Sequence, residues 1–278
     1  MFQGRKLLIA TQHEKERVIA PILGRELGVQ CIINKGFDTD KLGTFSGEVE
    51  RTDDPITTAR NKCLMAMDLA NCDLAISSEG SFGPHPTIYF LPADEEFLVF
   101  IDKKNNLEII AREISTETNF NAAEIKTKED LSDFIKCAKF PSHGLIIKNK
   151  KDKFTDIVKG ITNHDQLENT FTDFISKYGQ VYIETDMRAM HNPTRMKVIE
   201  KAVFKLANMI NSFCPNCGSP GFVITEAKAG LPCELCNLPT RSTLCYVYIC
   251  QKCHYINEVL YPHNKTSEDP LYCDVCNP

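Results

Sequence analysis

Residues 57–83 read TTARNKCLMAMDLANCDLAISSEGSFG. In the first half, Ala59, Cys63, Ala66, Met67 and Ala70 recur at three- and four-residue spacing, which predicts a helix over Thr57–Ala70 with one buried face. Arg60 and Lys62 fall off that face. Asp53 or Asp54 can cap the helix, with Pro55 in its first turn. Asp73–Ser77 (DLAIS) then reads as a strand that delivers Ser77, Ser78 and Glu79 at its end, ahead of Gly80 and Gly83. In open α/β sheets, ligands collect beyond the carboxyl ends of strands. A carboxylate there suits a hard cation such as Mg²⁺. The competing reading is a turn held by the serine hydroxyls.

Outward from this unit, the alternation continues. Lys6–Thr11 (KLLIAT) predicts a buried strand, residues 14–27 a helix and Val29–Asn34 a second strand. Residues 35–55 are rich in Gly, Asp and Thr and read mostly as loop. Strands are expected at Thr87–Leu91, Phe97–Asp102 and Leu107–Ile114, with a turn at Asn105–Asn106. Helices are expected at Lys128–Ala138, Asp165–Lys177 and from Pro193 to about Ile210. Gly144–Lys148 and Gln180–Glu184 read as strands between them. Residues 1–212 therefore predict an α/β domain with a mixed sheet flanked by helices.

The chain has 278 residues, 42% apolar and 25% charged, ordinary for a globular protein of about two domains. Its densest apolar run, Phe97–Ile101, is far short of the ~18–20 residues that span a membrane. No secretory signal is legible at the N-terminus, so a cytoplasmic protein without a membrane partner is expected. A net charge of −5 gives no global basic field for nucleic acid.

Cysteine is the outlier: nine of 13 lie in the last 65 residues. Cys31, Cys63, Cys72 and Cys137 read as small buried hydrophobes. Eight of the nine form four CxxC units, Cys214/Cys217, Cys233/Cys236, Cys250/Cys253 and Cys273/Cys276, and Cys245 reads as packing. One unit supplies half of a tetrahedral thiolate site, so residues 213–278 predict a small β-rich, zinc-ribbon-like module with two structural zinc ions. Strands at Thr243–Ile249 and Tyr255–Tyr261 can flank the third unit as a hairpin. The units are separated by 15, 13 and 19 residues. Sequential, nested and interleaved pairings are all possible. Sequential pairing is the expectation, because its spacers fall in the usual range. Six acidic residues against four basic ones argue against a dominant nucleic-acid role for the module.

Three further stretches of the first domain carry polar groups where chemistry is usually placed. ATQHEK (Ala10–Lys15) ends a strand and opens a helix, where backbone N–H groups favour an anion and Thr11 and Lys15 can add to it, although a plain helix cap has the same pattern. GTFSGEVERTDDP places Glu48 after small residues. VYIETDMRAMHNPTR crowds Glu184, Asp186, Arg188, His191, Asn192 and Arg195 into a strand end before a helix, and its arginines suit a polyphosphate.

The order of these motifs resembles the inosine/xanthosine triphosphate pyrophosphatase superfamily over about residues 5–115. ATQHEK, the acidic Glu48, the helix around Thr58-Ala59-Arg60-Asn61-Lys62-Cys63 and the strand ending Glu79-Gly80-Ser81 carry the likeness. It implies a two-lobed α/β fold with a long mixed sheet and a cleft between the lobes, and Mg²⁺-assisted attack of water on a nucleoside triphosphate that releases pyrophosphate. By position, Thr11 and Lys15 would hold phosphate, Asn61 and Lys62 would flank the phosphate chain, and Glu48 and Glu79 would hold the metal. Ser81 stands where the superfamily has a second glycine. The whole chain also resembles a bacterial family of uncharacterised proteins marked by GTFSGE, SSEGSFGPHP, TDMRA with NPTRM, and a CNP terminus.

The expected function is Mg²⁺-dependent hydrolysis of a nucleoside triphosphate or related nucleotide. Glu48 and Glu79 would be catalytic, and Thr11, Lys15, Asn61, Lys62, Ser78, Arg188 and Arg195 would contact the phosphorylated ligand. The alternatives are a catalytically silent nucleotide-binding protein and a zinc-ribbon interaction module on an α/β scaffold. Homodimerisation is left open.

Overall fold

The computed structural model describes residues 1–33, 53–151 and 155–278. The chain divides into two compact units, Met1–Ala207 and Asn208–Pro278. In the first unit, β1 (Lys6–Ile9), α1 (Glu16–Leu27) and β2 (Gln30–Ile33) lead to α2 (Pro55–Ala70), then to β3 (Leu74–Pro84), β4 (Pro92–Asp102) and β5 (Leu107–Ser115). Asp54 caps α2: its Oδ1 accepts the N–H groups of Ile56 (2.9 Å) and Thr57 (3.1 Å), and Pro55 takes the first helical position.

The five strands form one mixed sheet in the order β2-β1-β3-β4-β5, with β1 parallel to β2 and β3, and the β3–β4–β5 meander antiparallel. The chain steps from β1 outward to β2 and then back across β1 to β3. Right-handed crossovers therefore put α1 and α2 on opposite faces. Ala59, Cys63, Ala66 and Met67 of α2 pack on Leu8, Ala10, Ala75, Val99 and Ile101. Arg5 ties the start of β1 to the end of β4 through a two-pronged bond to buried Asp102, at 2.6 and 2.8 Å.

A second sheet, order β6-β9-β7-β8, is antiparallel throughout and comprises β6 (Ala122–Ile125), β7 (Leu145–Lys148), β8 (Ile157–Ile161) and β9 (Val181–Thr185). Helices α3 (Lys128–Cys137) and α4 (His164–Tyr178) supply Leu131, Phe134, Leu167 and Phe171 to its core. The last helix, α5 (Pro193–Ile210), begins at Asn192, whose Oδ1 accepts the N–H of Arg195 at 2.9 Å. The second unit is built on a three-stranded antiparallel sheet, β10 (Ile224–Ala229), β11 (Thr243–Ile249) and β12 (Ile256–Leu260).

Several expectations need correction. The expected mixed sheet flanked by helices is present, and the four-stranded antiparallel sheet was not foreseen as a separate sheet. Thr87–Leu91 is not a strand but the tip of the β3–β4 hairpin. His85 Nδ1 accepts the N–H groups of Thr87 and Ile88, which removes them from any ladder. β3 does not stop at Ser77 but runs on to Pro84, paired with β4 all the way. Strands β6, β8 and β10 were not foreseen. Among the lone cysteines, Cys63 and Cys245 are buried, but Cys137 is exposed and Cys31 and Cys72 only half-buried. Among the described residues, no helix is long and apolar enough to cross a membrane.

Candidate functional site

β1 ends at Ile9, in register with Ile76, and the N–H of the next residue, Ala10, donates to the Ile76 carbonyl (2.7 Å). Beyond that point β3 continues with no strand paired to it on the β1 side among the described residues. Carbonyls two apart point the same way, so Ser78 O faces this edge. Lys15 fills it: its Nζ donates to Ser78 O (3.2 Å) and to Ser78 Oγ (2.8 Å). This is the point where the strand order reverses between β1 and β3, the crevice in which open α/β sheets bind ligands. His13 and Glu14, just before Lys15, both adopt left-handed backbone (φ 65° and 61°), a conformation that costs a non-glycine residue free energy.

Residues alternate faces along a strand, so Ser78, Gly80 and Phe82 look one way and Ser77 and Glu79 the other. On the α2 side, Lys62 and Glu79 form a buried ion pair and Ser77 Oγ donates to Ala59 O. On the opposite side, Gly80 lies beside Glu96 and Phe82 beside Asp94 across the β3–β4 register. Arg195, fully buried, arrives on this face from the first turn of α5. Its Nε donates to Glu96 Oε1 (2.6 Å), its Nη1 donates to the carbonyl of Met187, and its guanidinium lies 5.0 Å from the centre of the Phe82 ring.

The electrostatics of this crevice are unusual. Lys15 is 3% exposed and forms no ion pair among the described residues. Burial, then the charge of Arg195, pushes its ammonium down to about 8, against the pull of Glu96 and Glu79. His13 is driven down to about 3 by burial and by Lys15, Arg195 and Arg188, so its imidazole is neutral. Asp94 is 1% exposed, and neither of its carboxylate oxygens has a hydrogen-bond partner among the described residues. The same holds for Glu96 Oε2. Burial, then the neighbouring Glu96, raises Asp94 to about 8.

Space here is tight. A Cβ on Gly80 would stand 2.6 Å from both Arg195 Nη2 and Glu96 Oε1. Gly80→Ala is therefore expected to push this ion pair apart and cost about 1–3 kcal/mol, read as a fall in thermal midpoint. An unchanged midpoint would show that the pair can move aside freely.

In the second unit, the cysteines gather into two tetrads, Cys214/Cys217/Cys250/Cys253 and Cys233/Cys236/Cys273/Cys276, with the sulfurs of each within 4.8 Å of one another. Four of the sulfur pairs, two in each tetrad, stand at 3.7, 3.6, 3.8 and 3.7 Å. A tetrahedron with metal–sulfur bonds of about 2.3 Å has edges of about 3.8 Å, whereas a disulfide is about 2.05 Å long. Each tetrad could hold a metal ion such as zinc. Gly218, Asn237 and His254, one residue past three of the CxxC units, are left-handed, and their N–H groups turn back to the carbonyls of Cys214, Cys233 and Cys250.

This pairing is interleaved and overturns the sequential expectation. β10 lies between the first two CxxC units and pairs with β11 from Ile224–Tyr248 to Ala229–Thr243. Six extended residues span about 20 Å, so the strand sends Cys214/Cys217 to one end of the sheet and Cys233/Cys236 to the other. The hairpin turn after Ile249 returns Cys250/Cys253 to the first end, and the chain leaving Leu260 brings Cys273/Cys276 toward the second.

Comparison with known proteins bears on this arrangement. A family described as a domain of unknown function, DUF6671, matches residues 62–278. The chain belongs to this family. The DUF6671 region starts at Lys62 and takes in Glu79, Asp94, Glu96, Arg195 and both tetrads, while Lys15 precedes it. No curated protein matches the chain.

Among the residues expected to contact a ligand, Lys15, Ser78 and Arg195 share one face of the DUF6671 crevice, and Lys62 with Glu79 sits across β3. Lys62 was expected off the buried face of α2; it is buried there because Glu79 neutralises it. Arg188 is held by Asp186, with Nη2 to Oδ2 at 2.6 Å. Asn61 is half-buried and its Nδ2 donates to Asp53 Oδ2 at 3.3 Å. Thr11 Oγ1 lies 3.5 Å from the carbonyl of Gln12. Glu48 and the GTFSGE loop lie outside the described residues. Sequence reasoning passed over His13, Asp94 and Glu96. The last two had a legible signal, since Asp94 and Glu96 alternate in phase with the apolar run Phe97–Asp102 and so belong to the same strand.

Proposed function

We propose that the α/β unit binds a phosphorylated small molecule of the nucleoside-triphosphate type and hydrolyses it with a divalent cation such as Mg²⁺. The observation that carries this reading is Lys15, a buried ammonium whose described partners are a hydroxyl and a carbonyl. A cation so desolvated is costly unless an anion completes its surroundings. Arg195 adds positive charge beside it, Glu96 and Asp94 supply carboxylates on the same face of the sheet, and the Lys62–Glu79 pair lies across β3. Bound Mg²⁺ would neutralise phosphate oxygens and lower the pKa of an attacking water. Lys15 would orient the phosphate chain, and neutral His13 would offer it a hydrogen bond. A cavity of about 300 Å³ at the starts of α1 and α5, with Val18, Met190, Pro193 and Met196 in its wall, has the size and apolar character to take an organic group attached to that chain. The second unit is read as a support stabilised by two structural zinc ions.

The test is a nucleotide panel with Mg²⁺, followed as released pyrophosphate and phosphate. Lys15→Met is expected to weaken nucleotide binding by roughly 10–100-fold, the worth of a charge-assisted hydrogen bond of about 1.5–3 kcal/mol. The same variant should melt no lower than the parent below pH 8. Lys15 has a folded-state pKa below its ordinary value, so burying the charged form opposes folding below about pH 8, and this penalty fades as pH rises further. Parent affinity should fall as pH climbs past 8 and Lys15 loses its proton. Arg195, Glu96, Asp94, Glu79, Lys62 and His13 all act on the same ammonium, and Asp94 is itself raised to about 8, so the alkaline limb belongs to Lys15 only if Lys15→Met removes it. Binding without turnover would leave a silent nucleotide-binding protein; no affinity for any compound in the panel would refute the reading.

A further inference from the structure

Three carboxylate oxygens of the first unit are buried and have no hydrogen-bond partner among the described residues: both of Asp94 and Oε2 of Glu96. Such oxygens are rare in folded proteins, because each has given up water for nothing. Asp94 and Glu96 are two residues apart on β4, so their side chains leave the same face of the strand with Cα atoms about 7 Å apart. That spacing lets two carboxylates reach one ion. Arg195 Nε engages Glu96 at Oε1, which leaves Oε2 for another partner.

From this geometry we infer that Asp94 and Glu96 form the divalent-cation site of the α/β unit, for an ion of the Mg²⁺ or Mn²⁺ class. The donor set is oxygen alone, which disfavours zinc. Three oxygens are too few for Ca²⁺, which takes about 6–8, whereas Mg²⁺ commonly binds through one or two carboxylates and completes its octahedron with water and phosphate. The surroundings agree with that division of labour. Lys15 and Arg195 lie close enough to Asp94 to act on its charge, so the crevice holds cationic groups for a phosphate beside anionic groups for a metal. This location rests on the phosphorylated-ligand reading for its purpose and differs from the superfamily resemblance, which assigns the metal to Glu48 and Glu79. Glu79 is on the other face of β3, engaged by Lys62.

The experiment titrates Mn²⁺ alone into the full-length, zinc-loaded protein, with free Mn²⁺ followed by electron paramagnetic resonance. The parent should bind one Mn²⁺ at this site, displaceable by Mg²⁺. Asp94→Asn should weaken that binding by at least about 10–100-fold and preserve zinc content and thermal midpoint, since it removes a carboxylate with no described hydrogen-bond partner. Glu79→Gln should retain Mn²⁺. A parent that binds no Mn²⁺, an Asp94→Asn variant that binds like the parent, or loss of binding in Glu79→Gln would each overturn the site. The two readings fail separately. Nucleotide turnover with Mn²⁺ binding untouched by Asp94→Asn would remove the site and keep the hydrolase. Mn²⁺ binding lost in Asp94→Asn, with no turnover of the panel by the parent, would keep the site and remove the hydrolase.

Discussion

Arg195→Met is expected to destabilise the α/β unit by about 3–5 kcal/mol, the usual cost of breaking a buried ion pair by removing one partner. For a unit of about 200 residues this is a fall of roughly 6–20 °C in thermal midpoint. The reason is local. Arg195 is fully buried, and its guanidinium joins Glu96 of β4 to the Met187 carbonyl that follows β9, so one side chain couples the two sheets of the unit. Without it, Glu96 is left as a buried charge beside Asp94. Neutralising that charge in Arg195→Met/Glu96→Gln should recover a substantial part of the loss, because the penalty comes mostly from the stranded carboxylate. Thermal melts of the two single variants and the double variant check this. Additive losses would mean that the pair is not the coupling element.

The second large effect concerns the cysteine tetrads. Beyond α5, the non-cysteine hydrophobes that are buried are Phe222, Leu231 and Val247, too few to hold a unit of this size. Stripping metal with a strong chelator is expected to unfold Asn208–Pro278, since structural zinc contributes about 10–16 kcal/mol of apparent binding free energy in small domains. Metal counting on paired variants tests the interleaved arrangement directly. Cys217→Ser with Cys250→Ser breaks one tetrad and should leave about one zinc per chain. Cys217→Ser with Cys236→Ser breaks both and should leave none. Sequential pairing demands the reverse outcome, so the two measurements decide between the arrangements.

Helix periodicity was a dependable guide because it is a local property. The Ala59–Cys63–Ala66–Met67 stripe of α2, its Asp54 cap and the Pro193–Ile210 span of α5 were legible from spacing and capping chemistry. Strands were less legible where their polar residues face inward. Ser78, Glu79, Asp94 and Glu96 interrupt the apolar runs of β3 and β4, so both strands read as shorter than they are. Three of these interruptions, Ser78, Asp94 and Glu96, line the crevice, and Glu79 holds Lys62 on the other face of β3.

By itself, then, the sequence determined the α/β character of the first unit, the eight-cysteine composition of two metal-type sites and the helices that frame the crevice, because propensity, capping and CxxC turns act over a few residues. Only the tertiary structure decided which CxxC units meet, since that depends on the length of β10, and which charges meet, since Lys15–Ser78 and Glu96–Arg195 join positions 63 and 99 residues apart. Pairings of that range follow from strand order and register, which are set when the whole chain buries its apolar faces together.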